Sequence, residues 1–160
     1  MPANVFAALG EEHYGPQYLH NVAFLCGDGR LARMADGWLQ ALRGDRRIGA
    51  AVTGRCAGED AECVAVMSEV GVDISESELS LEEELEPEDF DIAIVLAEEG
   101  GRAHELVDDD WRRRSVFLEW RCPLQDWRAA REELRARVAD LLLLLDDKAV
   151  RAAVGPGVSC

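Results

Sequence analysis

Lysine is almost missing from this chain of 160 residues: Lys148 is the sole example, and arginine supplies the rest of its 17 basic residues. Acids number 32, which leaves a net charge of −15. A chain that negative repels phosphate backbones and anionic lipid, so no nucleic-acid partner and no membrane partner are expected. Long apolar runs are lacking too. The longest, Leu141 to Leu145, falls far short of the roughly 20 residues of a membrane span, and acids flank it. The apolar start, Met1 to Leu9, has no basic opening and is too short for a signal peptide. Cysteine is scarce and odd in number: Cys26, Cys56, Cys63, Cys122 and Cys160 fall at irregular spacings. That excludes a secreted disulfide framework and makes a reducing cytoplasm the expected compartment. No zinc spacing occurs, and His13, His20 and His104 lie far from any cysteine pair, so neither metal nor cofactor is expected.

What is present is ordinary for one folded domain: 48% hydrophobic and 31% charged residues. Residues 1–20 read as an irregular extension, 21–145 as the domain and 146–160 as a tail. Four short apolar runs read as buried strands: Val22 to Cys26, Ile48 to Val52, Phe90 to Leu96 and Ser115 to Trp120. Helical spacing lies between them, from about Met34 to Leu42, from Asp60 to Val70 and from Asp126 to Leu145. Ser75-Glu76-Ser77-Glu78 has the pattern of a capping box and predicts a short acidic helix. Strands alternating with helices predict an α/β fold with a parallel sheet and right-handed crossovers. In such sheets ligands bind at the carboxyl ends of the strands.

The first strand ends at Cys26, and a turn with two glycines leads from it into a helix. A packed thiol is one reading of that cysteine. A reactive thiolate is the other, because turn amides and a helix N-terminus make a positive field.

The run from Val22 to Asp36, VAFLCGDGRLARMAD, resembles the opening of the low-molecular-weight tyrosine phosphatases and thioredoxin-linked arsenate reductases. That family has a strand, a nucleophilic Cys, Gly-Asn, Arg-Ser, then Met-Ala-Glu on the first helix. Val66 to Ser75, VMSEVGVDIS, is similar to its Met-Lys-Glu-x-Gly-Ile-Asp-Ile-Ser segment. Phe90 to Leu96 resembles its third strand, and Asp126 to Leu145 its last helix. The resemblance implies a three-layer α/β/α fold with a four-stranded parallel sheet, phosphotyrosine phosphatase I-like with flavodoxin-like winding. It also implies Cys26 as nucleophile toward a small oxyanion (phosphate, arsenate or sulfate). Gly27, Asp28, Gly29, Arg30, Leu31 and Ala32 would form the anion-binding loop, with Arg30 or Arg33 as the candidate oxyanion arginine.

The chain departs from the family where the chemistry is done. The family's arginine stands six residues after the cysteine, and Ala32 is there instead. Asp28 replaces the family's asparagine and puts a negative charge beside an oxyanion. The family's acid, an Asp before Pro, corresponds to Cys122-Pro123. The stretch after the third strand, Ala97 to Gly101, lacks the reductases' resolving cysteine. Cys56 and Cys122 are candidate redox thiols. The spacing of Cys122 and Arg128 also matches a phosphatase motif, but five non-glycine residues separate them and Arg128 fits the last helix. These departures favour a protein degenerate in catalysis that acts as a binding or regulatory module. The alternatives are an active phosphatase or arsenate reductase with a rewired loop, and an accessory subunit of a larger assembly, with a protein partner.

The acidity is local. Residues 59–110 hold one arginine and twenty acids, a net charge of −19, while the segments on either side are mildly basic. A strongly acidic face there suits a basic partner; solubility is the plainer account.

Overall fold

The computed structural model describes residues 13–26, 29–54, 61–77, 79–98, 109–114, 116–122 and 126–154. The four apolar runs become β1 (His20–Cys26), β2 (Ile48–Val52), β3 (Ile92–Glu98) and β4 (Val116–Cys122). They form one parallel sheet in the order β2-β1-β3-β4. The helices are α1 (Gly29–Leu42), α2 (Ala61–Ser68), α3 (Asp109–Arg114) and α4 (Trp127–Val154). Two 3-10 turns, Glu82–Glu84 and Pro87–Asp89, precede β3.

Successive strand residues point to opposite faces, and this divides the core in two. Val22, Phe24, Ile92 and Ile94 face the side covered by α1, α2 and α4, where Met34, Trp38, Leu134 and Val138 meet them. Ala23, Leu25, Ala93 and Val95 face the other side, against Phe90, Leu85 and Trp111. Small side chains on that second face (Ala23, Ala51, Ala93, Ala97) leave room for Phe90 and Trp111, whose rings lie 5.5 Å apart. The result is the three-layer α/β/α architecture expected from the sequence.

Charge pairs hold α4 at two points along its length. Near its start, the Glu69 carboxylate accepts hydrogen bonds from Arg128 and from Arg131, the latter at 2.8 Å. Further along, Asp146 takes a two-pronged bond from Arg46 at 2.8 and 3.0 Å. Between them the Trp38 indole N–H donates to the Arg131 carbonyl at 3.0 Å. Arg128 is therefore a helix-surface partner of Glu69, as its place in the last helix predicted.

Several elements differ from the sequence reading. Helix α1 starts at Gly29 rather than near Met34, and α4 runs to Val154 rather than ending at Leu145. Helix α3 had no periodic signal of its own. The capping-box pattern at Ser75 opens no helix among the described residues. The Asp73 carboxylate accepts from the Ser75 amide (2.9 Å) and hydroxyl (2.6 Å), and this local turn competes with helix formation. The first 3-10 turn comes later, at Glu82–Glu84. In the N-terminal segment, residues 13–19 are tied to the sheet. The Asn21 side chain accepts from the Gly15 amide and donates to the Gly15 carbonyl, both at 2.9 Å, and Tyr14 lies 4.8 Å from Phe90.

One stripe of α1 positions the loop that matters most for the site. Gly29, Arg33 and Gly37 recur every four residues and so lie on one helix face. Val72, Ile74 and Leu79 rest on that face. A Cβ at Gly29 would come within 2.6 Å of a Leu79 methyl, and one at Gly37 within 2.6 Å of Ile74 and 3.0 Å of Val72. Between the glycines, the buried Arg33 donates from Nη2 to the Ile74 carbonyl at 2.6 Å. Gly71 leads the chain into this segment with φ of 81°, a left-handed conformation that glycine adopts without steric penalty.

Two predictions follow from this packing. Gly37→Val should lower stability by about 1–3 kcal/mol, because its methyls meet the stiff, branched Ile74 and Val72 side chains. Urea denaturation checks it, and a variant as stable as the parent would show that the 72–74 segment does not bear on the helix. The second concerns acid. Hydrogen bonds from Arg128, then Arg131, hold the Glu69 carboxyl down from 4.5 to about 2. A folded value below the unfolded one stabilises the fold above about pH 4.5, and that contribution fades as pH falls towards 2. Glu69→Gln should therefore be less stable than the parent at neutral pH, with the gap closing across that interval. A gap that stays constant with pH would refute this role.

Candidate functional site

The chain moves from β1 to β2 on one side and then crosses to β3 on the other, so the winding reverses at β1. The carboxyl ends of β1 and β3 flank the crevice where sheets of this kind bind ligands. Cys26 is the last residue of β1, opposite Leu96 of β3. Helix α1 opens at Gly29, and its N-terminus is directed at the same end of the sheet. Gly27 and Asp28, of the expected anion loop, lie outside the described residues, as does Cys56.

The remaining loop residues have definite places. Leu31 and Ala32 are buried, so the position six residues after Cys26 holds a methyl group enclosed in the core. Arg30 is half-buried, and its guanidinium carbon stands 4.9 Å from the centroid of the Trp127 ring, a cation–π arrangement. Arg33 is only 6% exposed, with its guanidinium on the Ile74 carbonyl. Both arginines thus start from the first turns of α1, but one reaches Trp127 at the start of α4 and the other the Ile74 carbonyl.

Cys122 is fully buried at the end of β4, opposite Glu98. One strand, β3, separates β4 from β1. Cys63 is buried in α2. Among the described residues no three His, Cys, Asp or Glu side chains are grouped as metal ligands. Among the same residues no helix is long and apolar enough to cross a membrane.

The sequence reading missed Leu79, which packs directly against the first residue of α1. It also missed Trp127 and the Ile74 carbonyl as partners of the two arginines. The available signal was the Gly29-Arg33-Gly37 spacing: a charged residue between two glycines on one helix face marks a close approach by another segment.

No protein-family model matches the chain, and no curated protein matches its sequence. Solved structures do resemble it. An arsenate reductase in the phosphate binding state is 23% identical, with a TM-score of 0.63 over 78% of this chain and 98% of that one. The arsenate reductase of Archaeoglobus fulgidus is 21% identical, with a TM-score of 0.56 over 76% of this chain and 98% of that one. A thioredoxin-dependent arsenate reductase of Corynebacterium glutamicum is 17% identical, with a TM-score of 0.61 over 83% of this chain and 65% of that one. The likeness is one of backbone, and it establishes that this chain has the α/β/α fold of the arsenate reductases, the low-molecular-weight phosphatase-like fold.

Proposed function

We propose that the chain is a low-molecular-weight phosphatase-like or arsenate reductase-like protein that is degenerate in catalysis and serves as a binding or regulatory module. The observation that carries this reading is the fate of the loop arginines. The family's oxyanion arginine is replaced by the buried Ala32, and the two arginines nearby are seated on Trp127 and on the Ile74 carbonyl. Removing one preorganised oxyanion donor slows catalysis by about 10²–10³. Loss of a positioned general acid removes about 10²–10⁴ more, and Cys122 stands where the family has that Asp. Together these losses reach several orders of magnitude, enough to bring a modest enzyme close to background.

A thioredoxin-linked cycle has a further obstacle, since Ala97 to Gly101 contains no cysteine to resolve an intermediate on Cys26. Oxyanion binding without turnover is compatible with what remains, because α1 still presents its N-terminus beyond Cys26. One of the similar structures is an arsenate reductase in a phosphate binding state, which supports an oxyanion as the ligand class here.

The test is an assay of the purified protein with p-nitrophenyl phosphate, and with arsenate in the presence of thioredoxin, thioredoxin reductase and NADPH. Both rates should match those of Cys26→Ser. Turnover by the parent that Cys26→Ser abolishes would overturn the reading and favour the active enzyme with a rewired loop.

A further inference from the structure

We propose that two copies of this chain associate through the outer edge of β4, with their β4 strands antiparallel across a two-fold axis. The sheet has an outer edge at β2 and another at β4. Beside a groove of about 520 Å3, the edge of β2 is met by the chain itself: Ala50 donates to the His13 carbonyl at 2.6 Å, and Ser80 forms a parallel bridge with Thr53. At the other edge β4 is the outermost described strand, and among the described residues it pairs with β3 alone.

The backbone of β4 supplies the first reason. In a parallel strand the N–H and C=O of one residue point to the same side. The Val116 amide donates to the Asp91 carbonyl at 3.0 Å, so the groups of Val116, Leu118, Trp120 and Cys122 face β3. Those of Phe117, Glu119 and Arg121 face outward. Glu119 is exposed, and among the described residues nothing bonds its N–H or C=O. The strand is otherwise mostly apolar, and Val116 is 46% exposed at its start. Such an edge is a template for another strand unless charge, a bulge or a covering element guards it.

Charge selects the occupant. Glu119 and Arg121 point to one face of β4, where Arg121 donates to Glu119 at 3.3 Å. Like charges would repel a copy of the same strand, but these are opposite in sign. In an antiparallel pair, outward-facing residues stand opposite one another and exchange both backbone hydrogen bonds. A two-fold axis through Trp120 sets Glu119 of each copy opposite Arg121 of the other, so the same ion pair forms on both sides of the axis. Moving the axis to Glu119 or to Arg121 would set like charges face to face, which is destabilising. A guanidinium carries several donors, so Arg121 can bond the second copy's carboxylate beside its own. On the opposite face the joint is lined by Leu118, Trp120 and Cys122, with no charge among them. The edge is thus complementary to itself.

Sedimentation and native mass spectrometry of the full-length protein test this. The parent should pass from monomer to dimer as its concentration rises. Glu119→Arg and Arg121→Glu each put like charges at both pairs and should weaken the dimer about tenfold or more. Mixed together, the two variants regain opposite charges at both pairs. They should then form a heterodimer within about threefold of the parent's affinity, which also shows that both are folded. Hydrogen exchange at the Glu119 amide should slow as the parent dimerises, because that N–H becomes bonded across the axis. A parent still monomeric at about 1 mM, a dimer indifferent to either variant, no gain on mixing, or Glu119 exchange unchanged by concentration would each overturn the proposal. Mass and exchange are read without turnover, so the result is independent of catalysis at Cys26.

Discussion

The hydrogen bond from Arg33 to the Ile74 carbonyl is the constraint on which most of this structure depends. A guanidinium buried to 6% exposure must find acceptors inside the protein, because removing it from water is expensive. Ile74 supplies one, and the glycines four residues to either side of Arg33 let Val72, Ile74 and Leu79 lie close enough to do so. With the segment seated there, Leu79 comes to rest on Gly29 at the mouth of the expected anion loop. The same seat makes residues 71–77 one wall of the groove beside β2. A single buried charge therefore shapes both the approach to the first turn of α1 and the groove beside β2.

The arginine-rich, acid-rich composition acquires a structural meaning from these contacts. Arginine's planar fork can bond two oxygens or several carbonyls at once, which a lysine ammonium cannot do with the same geometry. Arg46 grips both oxygens of Asp146, and Arg131 bonds the Val66 carbonyl as well as Glu69. Arg30 uses the face of its guanidinium on Trp127 instead. These arginines thus join elements of the fold. Glu69 is one of the acids of residues 59–110 committed to such a pair; Asp73 and Glu76 line the groove beside β2.

Much of this was legible in the chain. Val22 to Cys26 and Ile48 to Val52 are short, apolar and bounded by turn residues, and such runs read as buried strands of a covered sheet. The position of Cys26 at a strand end, the alanine six residues later and the cysteine before Pro123 are matters of sequence alone. Local signals failed where two of them competed. Ser75 to Glu78 has the letters of a capping box, but Asp73 reaches the Ser75 amide first and makes a turn. Helix α1 was expected from about Met34, where the helical spacing of apolar residues begins; Gly29 and Arg33 lie before it. They are helical nonetheless, since a segment more than 40 positions away packs on them.

By itself, then, the sequence determined the class of fold, the order of its elements and the place of the cysteine at a strand end. These depend on periodicity and spacing, which are properties of neighbours along the chain. The tertiary structure decided where the charges went: Arg33 onto Ile74, Arg30 onto Trp127 and Glu69 between two arginines of α4. It also decided that the outer edge of β2 would be met by His13 and Ser80. A long, flexible side chain has many reachable partners in an unfolded chain. Only the packing of distant segments removes the alternatives and leaves one.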